Sequence, residues 1–299
     1  MGFSLVRDDP EERWVPCNLC GSFDLSRLFT ATQSAKQVVR CRRCGLVFYD
    51  PQPLPRRAVA LYSPGYFDRE FPEDQAADQI QLAQRRLTRI ESELGVGRLL
   101  DVGCGVGRFL LVARQRGWET VGLDVAPAAV QKAAATSGAT VLQGDLSRAR
   151  PAGMAPFDVV TMWDVFEHLS DPVGYLRRVH HWTRSGGMVV IQTQNANSVT
   201  AAWMRQRWEQ FVEFHLFHFS TQTLQLALEA AGFEQIRIEA SEEFSRNALS
   251  NPGQPPTATP GFGRGLRDCL RHLRDFAFIC CGYDSYNIMV ATGRCPHGE

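Results

Sequence analysis

From residue 98 onward, short apolar runs alternate with stretches of helical periodicity, and this alternation limits the chain to few folds. The runs are Leu99–Val102, Thr120–Leu123, Thr140–Leu142, Phe157–Met162 and Met188–Thr193, with later ones at Phe233–Ala240 and Tyr286–Ala291. Short apolar runs separated by helices are typical of parallel strands that are covered on both faces. The pattern therefore predicts an α/β fold built on a doubly wound sheet.

The first run leads into a glycine-rich loop, Asp101-Val-Gly-Cys-Gly-Val-Gly107, and then into a helix. Glycines there let the backbone turn tightly and approach a ligand at a helix amino terminus. The second run ends in Asp124, whose carboxylate can accept hydrogen bonds from both ribose hydroxyls. The third ends in Gly144-Asp145-Leu146. The G-x-G-x-G spacing differs from the G-x-G-x-x-G of nicotinamide enzymes, which remain the alternative.

These motifs and two later ones resemble the class I S-adenosylmethionine-dependent methyltransferases. The later ones begin at Phe157-Asp-Val-Val-Thr-Met-Trp-Asp and at Ser185-Gly-Gly, which resembles the turn before strand five. The resemblance covers residues 75–299. It implies a Rossmann-like, seven-stranded sheet of order 3-2-1-4-5-7-6 with strand seven antiparallel. It also implies S-adenosylmethionine as cofactor, bound by Asp101, Gly103, Cys104, Gly105, Gly107, Asp124, Val125, Asp145, Leu146 and Trp163.

Three histidines are candidate general bases, because histidine titrates near neutral pH and these follow strands four and five. His168 lies after strand four, and His215 and His218 lie after strand five. The segment Phe214–Ser220 resembles the E-H-L-x-Y-F-S stretch of zinc-containing sugar C-methyltransferases. His215 matches their histidine, whereas Phe214 stands in place of the glutamate. We expect one or more of the three to contact the acceptor, with packing as the alternative for each.

Other polar and aromatic residues are candidates for the acceptor site. The amides after strand five and four downstream aromatics form this set: Gln194, Asn195, Asn197, Trp203, Trp208, Phe211 and Phe217. We also expect the linker tyrosines, Tyr62 and Tyr66, to fold back over the cofactor. For the downstream aromatics, an ordinary hydrophobic core is the alternative.

Four cysteines form two C-x2-C pairs, Cys17/Cys20 and Cys41/Cys44. Two such pairs at this separation are typical of a zinc site, because each pair directs two thiolates at one tetrahedral ion. A four-thiolate site has no open position, so the ion is expected to be structural. The pattern predicts a zinc-ribbon-like module at residues 1–55, a linker at 56–75 and the methyltransferase domain at 76–299.

Composition excludes some classes of protein. Thirty-two basic and thirty-two acidic residues cancel, whereas nucleic-acid-binding proteins usually carry a basic excess. No apolar run reaches the roughly 18 residues that a membrane span requires. We expect a cytoplasmic monomer or homodimer that acts on a small-molecule acceptor, a sugar or natural product, without nucleic acid or membrane partners. The alternative is an RNA methyltransferase whose zinc module, with Arg40, Arg42 and Arg43, binds the RNA.

Overall fold

A seven-stranded sheet forms the centre of the structure, a computed structural model that describes residues 12–53, 65–146, 154–241, 275 and 277–297. Its strands are β6 (Arg98–Val102), β7 (Glu119–Asp124), β8 (Thr140–Gln143), β9 (Phe157–Trp163), β10 (Thr183–Gln194), β12 (Glu234–Ala240) and β13 (Ile288–Arg294). They lie in the order β12-β13-β10-β9-β6-β7-β8. This is the expected order, and β13 is antiparallel to both neighbours as expected. Tyr62 lies outside the described residues.

The sheet differs from the expectation at one point. The Ser185-Gly-Gly segment is part of β10, and the register of β10 against β9 shifts between Thr183 and Met188. Gly186 has a φ of 71°, so the segment remains an irregularity but lies within the strand.

Helices cover both faces of this sheet. They are α1 (Tyr66–Glu70), α2 (Ala76–Leu94), α3 (Arg108–Gln115), α4 (Pro127–Ser137), α5 (Pro172–Trp182), α6 (Val199–Met204) and α7 (Thr221–Ala230), with short 3-10 turns at Glu73–Gln75, Phe166–His168 and Arg205–Arg207. Residues of α2, α3 and α4 share one apolar cluster with Leu99, whereas α5 and α7 share the other with Leu100. Adjacent residues of a strand point to opposite faces, so each central strand contributes to both cores. No helix in the described ranges combines the length and apolarity of a membrane span.

The amino-terminal segment forms a second, smaller sheet that also includes a strand from much later in the sequence. Its strands are β2 (Leu25–Thr30), β3 (Gln37–Cys41), β4 (Val47–Tyr49) and β11 (Phe217–His218), in the order β11-β4-β3-β2, while β1 (Glu12–Arg13) pairs with β5 (Gln52–Pro53). Phe48 and Leu46 belong to the same buried cluster as Phe217 and Phe166. Full burial of such a side chain contributes about 1.5–3 kcal/mol, so the module is packed firmly onto the body.

Candidate functional site

A cavity of about 520 Å³ opens at the carboxyl ends of β6, β7 and β9, and we refer to it as the central cavity. Its size is typical of a site for a small molecule or cofactor. All ten residues that the sequence predicts for cofactor binding line it: Asp101, Gly103, Cys104, Gly105, Gly107, Asp124, Val125, Asp145, Leu146 and Trp163. Parallel strands end at the same edge of a sheet, which explains why residues from separate motifs meet there.

The glycine-rich loop requires glycine at two positions for steric reasons. Gly103 and Gly107 have φ values of 69° and 81°, in the left-handed region that side chains disfavour. A Cβ on Gly107 would lie 2.7 Å from the backbone of Ala133 in α4, and one on Gly103 would lie 2.4 Å from Val165. Close packing of the loop against its neighbours therefore forms the floor of the cavity.

Asp124 ends β7 and ties this loop to the next turn. Its Oδ2 accepts a hydrogen bond from Gly105 N at 3.0 Å, and its Oδ1 accepts one from Ala126 N at 2.9 Å. Burial raises the pKa of Asp124, and these backbone donors partly offset the rise. Each carboxylate oxygen has two acceptor positions, so both retain capacity for a ribose hydroxyl.

Asp101, at the end of β6, is buried against the cavity that it lines. Thr161 Oγ1 donates a hydrogen bond to its Oδ1 at 2.7 Å. Burial raises the pKa of Asp101 to about 7, against the opposing effects of Thr161 and the Arg86 charge. The cavity therefore holds an acid that is partly protonated near neutral pH.

Further residues complete the cavity walls. Tyr175 donates a hydrogen bond to Asp145 at 3.3 Å, and the Arg86 guanidinium stacks 3.9 Å from the centre of the Trp163 ring. Tyr66 and Phe71, in and next to α1, line the opposite side. Tyr66 thus lies where the linker was expected to fold over the cofactor. Arg86 was not among the residues predicted from the sequence, where it is one of several arginines on the helix α2.

His168 and His215 both line the central cavity and lie beside each other. Their ring centroids are 4.8 Å apart, in an edge-to-face arrangement. His168 Nδ1 donates to the Phe214 carbonyl at 3.0 Å, and His215 Nδ1 donates to the Gln210 carbonyl at 2.9 Å. Burial lowers the pKa of both imidazoles, that of His215 well below its ordinary value. Both rings are therefore neutral at physiological pH.

Glu167 joins these histidines, and the sequence analysis did not select it. One donor atom from each of Glu167, His168 and His215 lies within 4.8 Å of the others. The carboxylate is buried, its Oε2 accepts a hydrogen bond from Thr193 Oγ1 at 2.9 Å, and burial raises its pKa to about 7. Its position directly before His168, after strand four, was the signal available in the sequence.

His218 is separated from the other two candidate bases and is not among the residues that line the cavity. It is fully buried among Tyr49, Trp208 and Phe211, between the module and the body. Both ring nitrogens lack a hydrogen-bond partner among the described residues. Burial lowers its pKa to about 3, so the ring stays neutral, and its surroundings are those of a packing residue.

The predicted amides and downstream aromatics are not part of the cavity lining either. Asn195 donates a hydrogen bond to Asp284, and Asn197 donates one to the Gly282 carbonyl. These amides therefore hold the segment around residues 282–284 against the end of β10. The aromatic side chains pack with the module, apart from Trp203, which is exposed. The buried aromatics therefore fit the alternative interpretation, which is packing in the hydrophobic core.

The four cysteines of the module converge on one point. Cys17 Sγ lies 3.4 Å from Cys44 Sγ, and Cys20 Sγ lies 3.5 Å from Cys41 Sγ. A tetrahedral zinc ion with bonds of about 2.3 Å separates its sulfur ligands by about 3.8 Å, so the cluster needs only a slight expansion to hold one. The donor set and its spacing fit a structural zinc ion.

Two hydrogen bonds connect the module to the Glu167 segment through one residue. Tyr49 N, in β4, donates to the Leu216 carbonyl at 3.1 Å, and Leu216 N donates to the Glu167 carbonyl at 2.8 Å. His215 directly precedes Leu216, so the module backbone helps to hold this part of the cavity wall in position.

Comparison with known proteins agrees with this geometry. Residues 73–238, more than half of the chain, match the family model described as "Methyltransferase domain". Ubiquinone biosynthesis O-methyltransferases are 34% identical over 122 residues in Cereibacter sphaeroides (37% of this chain, 49% of that protein) and 34% over 119 residues in Pseudomonas aeruginosa (38% and 51%). The chain thus spans about half the length of the curated relatives it matches.

Solved structures share the fold at low sequence identity. An S-adenosylmethionine-dependent methyltransferase from Thermotoga maritima aligns with a TM-score of 0.50 at 18% identity, covering 77% of this chain and 99% of that one. The plantazolicin methyltransferase bound to SAH aligns with a TM-score of 0.50 at 13% identity, covering 81% and 90%. With the family match, the sheet order and the glycine-loop cavity, the chain belongs to the methyltransferase-domain family.

Proposed function

We propose that this protein transfers a methyl group from S-adenosylmethionine to a small-molecule acceptor, a sugar or a natural product, at oxygen, nitrogen or carbon. One observation carries the proposal: the cavity lined by all ten predicted cofactor residues also contains two neutral imidazoles, His168 and His215, on its wall. A cofactor site and proton acceptors in one enclosure are what methyl transfer to a protonated nucleophile requires.

The chain supplies a holding group for each part of the cofactor. S-adenosylmethionine, when bound, supplies an electrophilic methyl group on a sulfonium sulfur. Asp124 accepts hydrogen bonds from the ribose hydroxyls, and Asp145 accepts one from the adenine amino group. The glycine loop allows its backbone to approach the cofactor closely. The Asp124 and Asp145 side chains both line the cavity.

His215 and His168 are the proposed bases for the acceptor. In each ring Nδ1 donates to a backbone carbonyl, so Nε2 is the nitrogen that carries the lone pair in the neutral imidazole. His215 is the preferred base, because the next residue, Leu216, is held by backbone hydrogen bonds at both its N–H and its carbonyl. A base held in this way keeps a constant position relative to the acceptor.

The four-cysteine cluster is proposed to bind a structural zinc ion. Its sulfurs leave no open ligand position, so the ion stabilises the module instead of taking part in the reaction. Since the module contacts Leu216, its zinc supports the His215 segment indirectly.

RNA methylation is the second candidate. Arg40, Arg42 and Arg43 are exposed on the module, which favours an anionic partner, although Arg42 lies 3.4 Å from Asp24. The balanced net charge and the enclosed cavity favour the small-molecule acceptor. Binding of bulk RNA that weakens steeply between low and high salt would support the RNA alternative.

Labelled methyl transfer tests the proposal directly. The protein is incubated with methyl-labelled S-adenosylmethionine and, in separate reactions, with phenols, amines, hexoses or total RNA. Label in a small-molecule fraction, lost in an Asp124→Ala variant, supports the proposal. Label in RNA alone supports the alternative. Absence of calorimetric binding of S-adenosylhomocysteine would contradict both.

A further inference from the structure

The side chains of Glu167, His168 and His215, which we call the Glu–His–His cluster, come together from two separate segments of the chain. Glu167 and His168 lie on a 3-10 turn after β9, whereas His215 lies on the segment before β11. One donor atom from each lies within 4.8 Å of the others. The two histidines line the central cavity, and Glu167 is buried behind them.

Hydrogen bonds determine the tautomer of both imidazoles. A carbonyl oxygen can only accept, so the Nδ1 atoms that lie 3.0 Å from Phe214 O and 2.9 Å from Gln210 O must carry hydrogen. In a neutral ring the Nε2 atom then carries a lone pair. Backbone carbonyls that orient histidines through Nδ1 are the usual outer partners of metal-binding histidines.

The carboxylate is oriented in the same manner. Thr193 Oγ1, in β10, donates to Glu167 Oε2 at 2.9 Å. Glu167 is 2% exposed, so it is shielded from water and needs a compensating partner when ionised. One ring nitrogen from each histidine and one carboxylate oxygen thus lie within 4.8 Å of one another beside a buried acid, and a cation bound there would be ligated by all three.

We propose that the Glu–His–His cluster binds a divalent transition-metal ion of the zinc type, separate from the four-cysteine cluster. Two imidazoles and one carboxylate are a known catalytic zinc ligand set, which keeps one position open for water or substrate. At bond lengths of about 2.0–2.2 Å the ligand atoms lie about 3.5 Å apart, so the side chains must draw together by about 1 Å. The open position faces the central cavity.

The chemical consequence rests on the proposed function. An acceptor hydroxyl in the open position would bind the ion through oxygen. It would release its proton to solvent at a lower pH than the free hydroxyl does, because the ion stabilises the oxyanion. The oxygen then forms its bond to the methyl carbon as the carbon–sulfur bond breaks and its electron pair stays on sulfur. With the ion bound, the lone pairs of His168 and His215 serve as ligands, so the ion takes over from the imidazoles as the group that promotes removal of the proton. The class of acceptor is then a hydroxyl compound.

Cobalt titration of the full-length protein tests metal binding without any acceptor. Co²⁺ in a four-sulfur site has intense thiolate charge-transfer absorption, whereas Co²⁺ bound by nitrogen and oxygen has only weak visible bands. We expect both signatures in the parent protein and about two metal ions per chain. His215→Ala and Glu167→Gln should lose only the weak bands, and Cys44→Ser only the intense ones.

Two further variants separate ligand loss from misfolding. Thr193→Val keeps the shape of the side chain but removes the donor to Glu167, and should weaken the second ion by about 10–100-fold. His181→Ala, at an exposed histidine of α5, is the matched control and should bind both ions as the parent does. Calorimetric binding of S-adenosylhomocysteine reports separately on folding and on the proposed function. One ion per chain in the parent, or weak bands that persist in both ligand variants, would overturn the proposal.

Discussion

Replacement of Asp101 by asparagine tests the electrostatics of the central cavity quantitatively. The pKa of this carboxyl rises from 3.8 to about 7 in the folded protein, chiefly through burial. A group with a raised pKa holds its proton more tightly when folded. The free energy of unfolding therefore falls as pH increases from the unfolded pKa to the folded one, and is constant above both.

The magnitude follows from that rise in pKa. At pH 8 the ionised carboxylate lowers the free energy of unfolding by about 4 kcal/mol, and at pH 5 by about 2 kcal/mol, at roughly 1.4 kcal/mol for each pKa unit. Asparagine carries no charge, and its carbonyl oxygen can still accept the hydrogen bond from Thr161 Oγ1. Because the side chain lines the cavity, water can solvate the new NH₂ group. We expect Asp101→Asn to be more stable than the parent by these amounts.

Equilibrium urea unfolding of the cofactor-free protein at both pH values measures the difference. Asp158→Asn in β9 is the control of opposite sign. Burial raises the pKa of Asp158, but hydrogen bonds from Arg98 and Arg184 outweigh this and lower it below 3.8. That stabilisation is lost only as pH falls through the lowered pKa, so Asp158→Asn should lose equal stability at pH 5 and pH 8. An Asp101→Asn variant less stable than the parent, or a gain independent of pH, would refute the reasoning.

Three other predictions concern the cofactor, the module and the base. Asp124→Ala loses a charged acceptor worth about 1.5–3 kcal/mol, so affinity for S-adenosylmethionine should fall at least about tenfold by calorimetry. Gly105→Val should bind more weakly still, because φ is 54° there and a Cβ would lie 3.4 Å from the Phe71 ring; unchanged affinity in both variants would exclude this cavity as the cofactor site. Cys20→Ser should lose about one zinc per chain and melt at a lower temperature, and metal analysis that finds the ion retained would contradict the four-thiolate site. His215→Ala should lower turnover about 10²–10⁴-fold with little change in cofactor affinity, whereas near-parental rates from about pH 6 to pH 9 would make it a packing residue.

Local sequence determined the sheet and the cofactor side of the cavity. Each residue predicted to bind the cofactor lies at the end of an apolar run or a few positions after one, as Asp101 and Asp124 do, so the strand itself carries the residue to the correct edge. The two C-x2-C pairs likewise carry their own geometry, because two residues between cysteines permit convergence on one ion.

The acceptor side depended on contacts between distant segments. Phe217 and His218 pair with Phe48 and Val47, about 170 positions away, and this pairing decides which histidine faces the cavity. Successive residues of a strand point in opposite directions, so His218 enters the aromatic core once Phe217 is placed. Its ring nitrogens have no hydrogen-bond partner in the part of the chain that the structure describes, and a sequence pattern that treats all three histidines alike cannot predict this.

The meeting of Glu167 with His215 has the same origin. These residues are joined through the backbone of Leu216, which lies between Glu167 and Tyr49 of the module. The position of the module on the body is set by the apolar area that it buries there, and periodicity within a single segment carries no information about that choice. The sequence by itself therefore determined the fold class and identified the residues predicted to bind the cofactor and the zinc ion, whereas tertiary packing alone decided which ionisable groups line the other side of the cavity.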